Sequence, residues 1–118
     1  MESQKEFWNI DEESGVVLEA LIHVQKPKNI LEIGASNGYS AIRMGHIAKQ
    51  YGGHITTIEF FGERVELARK NIQDEGLVET IEVLQGDAIE IMSGLPASFN
   101  FIFLDANKEE YSQYFIRS

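Results

Sequence analysis

Cysteine is absent from the 118-residue chain, which excludes a disulfide, a thiolate nucleophile and Cys-ligated zinc. Basic residues are scarce, ten against nineteen acidic, for a net charge of -9. Proteins that grip nucleic acid present a basic patch to displace counterions. Here Lys26 and Lys28 come nearest to a pair, so neither nucleic acid nor an anionic membrane is an expected partner. No apolar run is long enough to cross a bilayer, and Met1 to Ile10 is polar and mixed in charge, without the apolar core of a signal peptide. Repeats, low-complexity stretches and linkers are missing too. His23, His46 and His54 are dispersed and show no metal-ligand spacing. The expectation is one soluble, cytoplasmic domain over residues 1–118.

What is present is an alternation of helix and strand. Val17, Leu21 and Val24, with Leu18 and Ile22 beside them, predict one apolar face of a helix that begins between Asp11 and Ser14 and stops at Pro27. Asn29 to Ile33 reads as a short apolar strand. From Tyr39 to Tyr51 a small-residue face of Ala41, Gly45 and Ala48 lies beside Met44 and Ile47, and Gly52-Gly53 ends that helix. A second strand follows at His54 to Ile58. Val65, Ala68 and Ile72 mark the next helix, closed by Gly76. Thr80 to Leu84 is a third strand, Ile89 to Met92 a short helix, and Asn100 to Leu104 a fourth and very apolar strand; a last helical segment starts near Lys108. Strands separated by helix-length connections predict an α/β fold, a doubly wound parallel sheet. Ligands of such sheets bind outside the carboxyl ends of the strands, so the residues after each strand are the ones to inspect.

After the first strand stands Glu32-Ile-Gly34-Ala-Ser-Asn-Gly38-Tyr39-Ser40. A glycine-rich turn into a helix lets a ligand approach the backbone; the plain alternative is a tight turn with no ligand. The spacing is neither that of a dinucleotide pyrophosphate loop nor that of a Walker A loop. Glu59 closes the second strand, where a carboxylate can accept two hydrogen bonds from a ribose diol or simply be solvated. Asp87, after the third strand, could address an adenine edge, cap the following helix, or do both.

The stretch from Ile30 to Met44, Ile-Leu-Glu-Ile-Gly-Ala-Ser-Asn-Gly-Tyr-Ser-Ala-Ile-Arg-Met, resembles the first motif of class I methyltransferases. It is particularly similar to catechol and caffeoyl-CoA O-methyltransferases. The resemblance implies a Rossmann-like fold, strands one to four in the order 3-2-1-4, and S-adenosylmethionine as cofactor. It places Glu32, Gly34, Gly38, Tyr39 and Ser40 at the amino-acid end of that cofactor, with Ser40 on its carboxylate. Glu59 falls on the ribose hydroxyls, Phe60 on the adenine face, and Asp87-Ala88 beside the adenine. Asp11 to Leu18 resembles the segment that covers the cofactor, although Ser14-Gly15 matches it weakly.

Phe101-Ile-Phe-Leu-Asp105-Ala-Asn-Lys108-Glu-Glu-Tyr111 is similar to the Asp-x-x-Lys-x-x-Tyr stretch of metal-dependent O-methyltransferases. Carried over, Asp105 is a metal ligand for a divalent cation such as Mg²⁺, in contact with the cofactor site, and Lys108 is a general base. Read alone, the pair is a helix-capping aspartate and a solvated lysine. No Asn/Asp-Pro-Pro-aromatic motif of amino-group methylases follows the strand, which disfavours nucleic-acid methylation. The expected function is therefore O-methyl transfer to a hydroxyl of a small aromatic acceptor. A non-catalytic cofactor-binding or interaction module is the second reading, and aminopropyl transfer the third. The family's later strands and further metal ligands have no counterpart in the sequence, so the fourth strand is expected as an apolar edge. That predicts either a piece of a longer polypeptide or a homo-oligomer formed through this strand.

Overall fold

The computed structural model describes residues 12–35, 38–95 and 99–104, and over these the alternation becomes a parallel sheet clad by helices. In chain order the elements are α1 (Glu12–Gln25), β1 (Asn29–Ile33), α2 (Tyr39–Tyr51), β2 (His54–Glu59), α3 (Gly62–Asp74), β3 (Ile81–Gln85), α4 (Ala88–Ser93) and β4 (Phe101–Leu104). The sheet order is β3-β2-β1-β4 and every pairing is parallel. β2 runs one residue beyond its expected end, and β3 sits one residue later than expected.

With this order, right-handed crossovers fix the helix faces. The steps from β1 to β2 and on to β3 move in one direction, so α2 and α3 lie on the same face. The return from β3 to the far side of β1 puts α4 on the opposite face. The two cores reflect this. One gathers Leu18, Ile22, Ile30, Ala41, Met44, Ile55, Val65, Ala68 and Ile72 under α1, α2 and α3; the other gathers Leu31, Ile33, Ile58 and Ala88 under α4. The small-residue face of α2 is buried as expected. At Gly45 a Cβ would come within 2.8 Å of Ile81 Cδ1, so a side chain there would require the Ile81 end to shift.

The first helix corrects the sequence reading. Leu18 and Ile22 are buried, but Val17, Leu21 and Val24 face outward, with Val24 79% exposed. Two apolar stripes one residue apart run along this helix, and periodicity does not choose between them. The choice is made by α2: Gly15 lies against the Arg43 guanidinium, and that guanidinium is clamped by Glu19, which turns the Gly15-Leu18-Ile22 stripe inward.

β1 is the switch point of the sheet, with β2 on one side and β4 on the other. Ligand crevices of open α/β sheets lie at such a point, beyond the carboxyl ends of the strands. β4 pairs only with β1 among the described residues, and Ile102 is 57% exposed on it.

The face assignment of α1 is directly testable by urea unfolding. Ile22→Ala should lower stability by about 2–5 kcal/mol, whereas Val24→Ala should stay within about 0.5 kcal/mol of the parent.

Candidate functional site

The carboxyl ends of β1, β2 and β3 are tied into one ledge by backbone bonds. The N–H of Gly34, just past β1, donates to the Ile58 carbonyl at 2.8 Å, and the N–H of Gly86, just past β3, donates to the Glu59 carbonyl at 3.0 Å. The loops that follow these strands are therefore neighbours in register. Gly34, Glu59, Phe60, Gly86 and Asp87 come together along the ledge, and Gly38, Tyr39 and Ser40 open α2 beside it.

Two glycines shape the turn into α2. Gly34 has φ 93° and Gly38 φ 87°, in the left-handed region that side chains disfavour. At Gly38 a Cβ would also stand 3.2 Å from the Ala68 Cα of α3, so α2 and α3 meet where that atom is missing.

Glu32 is fully buried. It pairs across the sheet with Thr57 on β2 and Phe103 on β4, and all three point toward the layer of α1, α2 and α3. Thr57 Oγ1 donates to Glu32 Oε1 at 2.6 Å, and Ser40 Oγ donates to Glu32 Oε2. Both carboxylate oxygens act as acceptors, the arrangement that suits the ionised form. The first turn of α2 also stands over this charge, and a helix N-terminus favours an anion. Ser40 is itself 1% exposed. Its hydroxyl proton is directed inward, at Glu32.

Glu59 is likewise buried at the end of β2. The Phe61 N–H donates to its Oε2 at 3.1 Å, and Arg64 Nη1 lies 3.9 Å from the same oxygen. Phe60, the next residue, is 58% exposed and meets Phe61 edge-to-face, with centroids 5.1 Å apart. A large aromatic left in solvent beside a strand-end carboxylate offers a flat apolar surface at the ledge.

Asp87 caps α4: its Oδ1 accepts from the Ile89 N–H at 2.9 Å and the Glu90 N–H at 3.1 Å. The helix-capping alternative is thus realised, and Oδ2 has no hydrogen bond among the described residues. The Ala88 methyl is buried in the core under α4, so only its backbone can address a ligand. Tyr39 is half-buried beneath Arg43, whose guanidinium lies 5.5 Å from the ring centroid and donates to the Tyr39 hydroxyl at 3.3 Å.

Asp105 and Lys108 lie outside the described residues, as does Asp11 at the start of the segment compared with a cofactor cover; the rest of that segment is the first part of α1. Among the described residues no group of three or more His, Cys, Asp or Glu side chains could hold a metal ion. A groove of about 470 Å³ between α1, α2 and α3, lined in part by Glu19, Arg43, His46 and Asp74, runs down the flank of α2 rather than over the ledge. No described helix is long and apolar enough to cross a membrane. The partners that sequence reasoning missed are Thr57 and Arg43. Thr57 is apparent only once the β1–β2 register is known.

A family model described as O-methyltransferase matches residues 2–118. The catechol O-methyltransferase of Niastella koreensis is 34% identical over 111 residues, covering 91% of this chain and 50% of that protein. Caffeoyl-CoA O-methyltransferase 1 of Eucalyptus globulus is 33% identical over 115 residues, covering 91% of this chain and 46% of that protein. Among solved structures, the O-methyltransferase of Bacillus cereus in complex with SAH superposes with a TM-score of 0.82 at 32% identity, covering 92% of this chain and 51% of that one. The chain thus spans about half the length of the relatives it matches.

The Arg43–Glu19 clamp carries a pH dependence. Arg43 Nε and Nη2 bond Glu19 at 2.9 and 3.0 Å, and this hydrogen bonding lowers the Glu19 pKa against the opposing pull of partial burial. A carboxyl whose folded pKa is depressed adds stability that is present above its unfolded pKa and lost as pH falls through the folded one. Wild-type stability should therefore rise between about pH 3 and 5. In Arg43→Met that rise should shrink by less than roughly 1 kcal/mol, since Glu19 is partly solvated; urea titrations at each pH measure the difference.

Proposed function

Because the chain belongs to the O-methyltransferase family, we propose that its ledge binds S-adenosylmethionine and that the protein transfers the methyl group to a hydroxyl of a small aromatic acceptor with help from a divalent cation. The observation that carries the reading is the buried Glu59 carboxylate at the end of β2, flanked by the exposed Phe60 and by the Gly86-Asp87 turn. The donor set fits the cofactor. Glu59 suits a ribose diol, the Phe60 face suits a purine ring, and Asp87 Oδ2 can accept from an exocyclic amine. The relative from Bacillus cereus is described in complex with SAH, which supports the same ligand class here.

At the amino-acid end, the buried Glu32–Ser40 bond changes the expected division of labour. With the Ser40 proton directed at Glu32, the cofactor carboxylate is assigned to backbone N–H groups at the start of α2 rather than to the Ser40 hydroxyl. Gly34 and Gly38 keep side chains away from that approach. Bound there, S-adenosylmethionine supplies an electrophilic methyl on its sulfonium. The resemblance assigns Asp105 to the cation and Lys108 to the proton of the acceptor hydroxyl, and a cation beside that oxygen favours its ionised, nucleophilic form. Holding acceptor oxygen and methyl in line lowers the barrier by avoiding the loss of freedom at the moment of reaction.

Calorimetry tests the cofactor reading. S-adenosylhomocysteine should bind the wild type, and Glu59→Ala should weaken it by more than about 1 kcal/mol; a wild type that takes up neither S-adenosylmethionine nor S-adenosylhomocysteine would refute the proposal. The metal reading has its own check, a methylation assay with a catechol. Activity should fall to background with EDTA, return with Mg²⁺, and be lost in Asp105→Asn. Cofactor binding without turnover under any metal would point instead to a non-catalytic module.

A further inference from the structure

Thr57 has no assigned part in the site, yet it is one of the most deeply buried polar residues on the sheet. Its hydroxyl bonds Glu32 Oε1 at 2.6 Å, while Ser40, from a different element, bonds Oε2. Glu32 therefore joins three elements at one point: it stands on β1, and its two oxygens receive hydroxyls from β2 and from the first turn of α2. Burying a carboxylate removes hydration that is costly to replace, and an apolar residue would fill the position more cheaply. The adjacent Phe103, partly buried beside Glu32 in the β1–β4 register, adds to the exclusion of water. Such an expense is explained if the charge fixes where the start of α2 stands.

We propose that Thr57 is a positioning residue for the amino-acid end of the cofactor, acting through Glu32 on Ser40 and the first turn of α2; this rests on the proposed binding of S-adenosylmethionine. Without the Thr57 hydroxyl, the buried Glu32 loses the 2.6 Å hydrogen bond to its Oε1. The carboxylate turns toward another donor, Ser40 moves with it, and the N–H groups at the start of α2 lose their aim. The adenosine end is held by different bonds, those of Gly86 to Glu59 and the Asp87 cap on α4. None of these passes through Thr57. A defect at position 57 is therefore directional: it is felt at one end of the ligand and not at the other.

Two ligands separate the ends. S-adenosylhomocysteine carries the amino-acid group, and 5′-methylthioadenosine has the same nucleoside and thioether without it. In calorimetry on the full chain, Thr57→Val should weaken S-adenosylhomocysteine about tenfold, the loss expected for one hydrogen bond to a charged group. Methylthioadenosine affinity should stay within about twofold of the parent on the same reasoning. Thr57→Ser, which keeps the hydroxyl, should restore S-adenosylhomocysteine binding. The inference is overturned if the valine variant binds S-adenosylhomocysteine as the parent does, if it weakens both ligands alike, or if serine fails to rescue. Should the valine variant not fold by circular dichroism, Thr57→Cys, similar in shape with only a weak S–H donor, carries the same comparison: a loss confined to S-adenosylhomocysteine supports the role, and any other pattern overturns it. A wild type that binds neither ligand fails earlier and refutes the cofactor reading itself.

Discussion

A single buried carboxylate, that of Glu32, governs the geometry around which the rest is arranged. It is fully enclosed, yet both its oxygens are satisfied by hydroxyls that come from different elements. A charge in that position tolerates little displacement, because moving it weakens hydrogen bonds in a medium that does not screen it. Apolar contacts in the two cores set how closely the helices lie on the sheet. The Glu32 bonds tie β1, β2 and the first turn of α2 together near the carboxyl end of the sheet. The two positive-φ glycines then let the chain leave β1 and enter α2 without a side chain in the way.

Much of this was legible in the sequence. Strand and helix alternation pointed to the parallel sheet, and the resemblance to class I methyltransferases supplied its order. Glu59, Gly34, Gly38 and Asp87 stood at strand ends, and the fold rule for open sheets draws such positions to one side. The Asp87 cap could be read from its place before a short helix. The outward face of α1 could not. Val17, Leu21 and Val24 form as good a helical stripe as Leu18 and Ile22 do, and the decision between them rests on Arg43, which lies in another element. Thr57 was illegible for a related reason. A threonine in a β-branched strand run is unremarkable until the register sets it opposite Glu32.

The same register sets Ser40 against a buried carboxylate that its motif alone does not reveal. The motif places a hydroxyl at the first turn of a helix, where a ligand contact is reasonable. The three-dimensional arrangement places a buried carboxylate against that hydroxyl. A hydroxyl has one proton to give, so its direction is settled by the nearest strong acceptor. Among the motif residues, Phe60 is exposed at the ledge, whereas Glu32, Ser40 and Glu59 are buried.

The sheet order also separates the chain in time. Glu32 and Thr57 are 25 residues apart, whereas the bond from Asn29 to Asn100 that seats the start of β4 spans 71. Closing the longer loop costs more chain entropy and tends to come later. The strands β1, β2 and β3, with the carboxylate and the ledge they carry, are the portion that local encounters can assemble early. β4 joins a surface whose ledge at β1, β2 and β3 is by then already shaped. On a ribosome, where the chain emerges from its N-terminus, that order of loop closure and the order of synthesis run in the same direction.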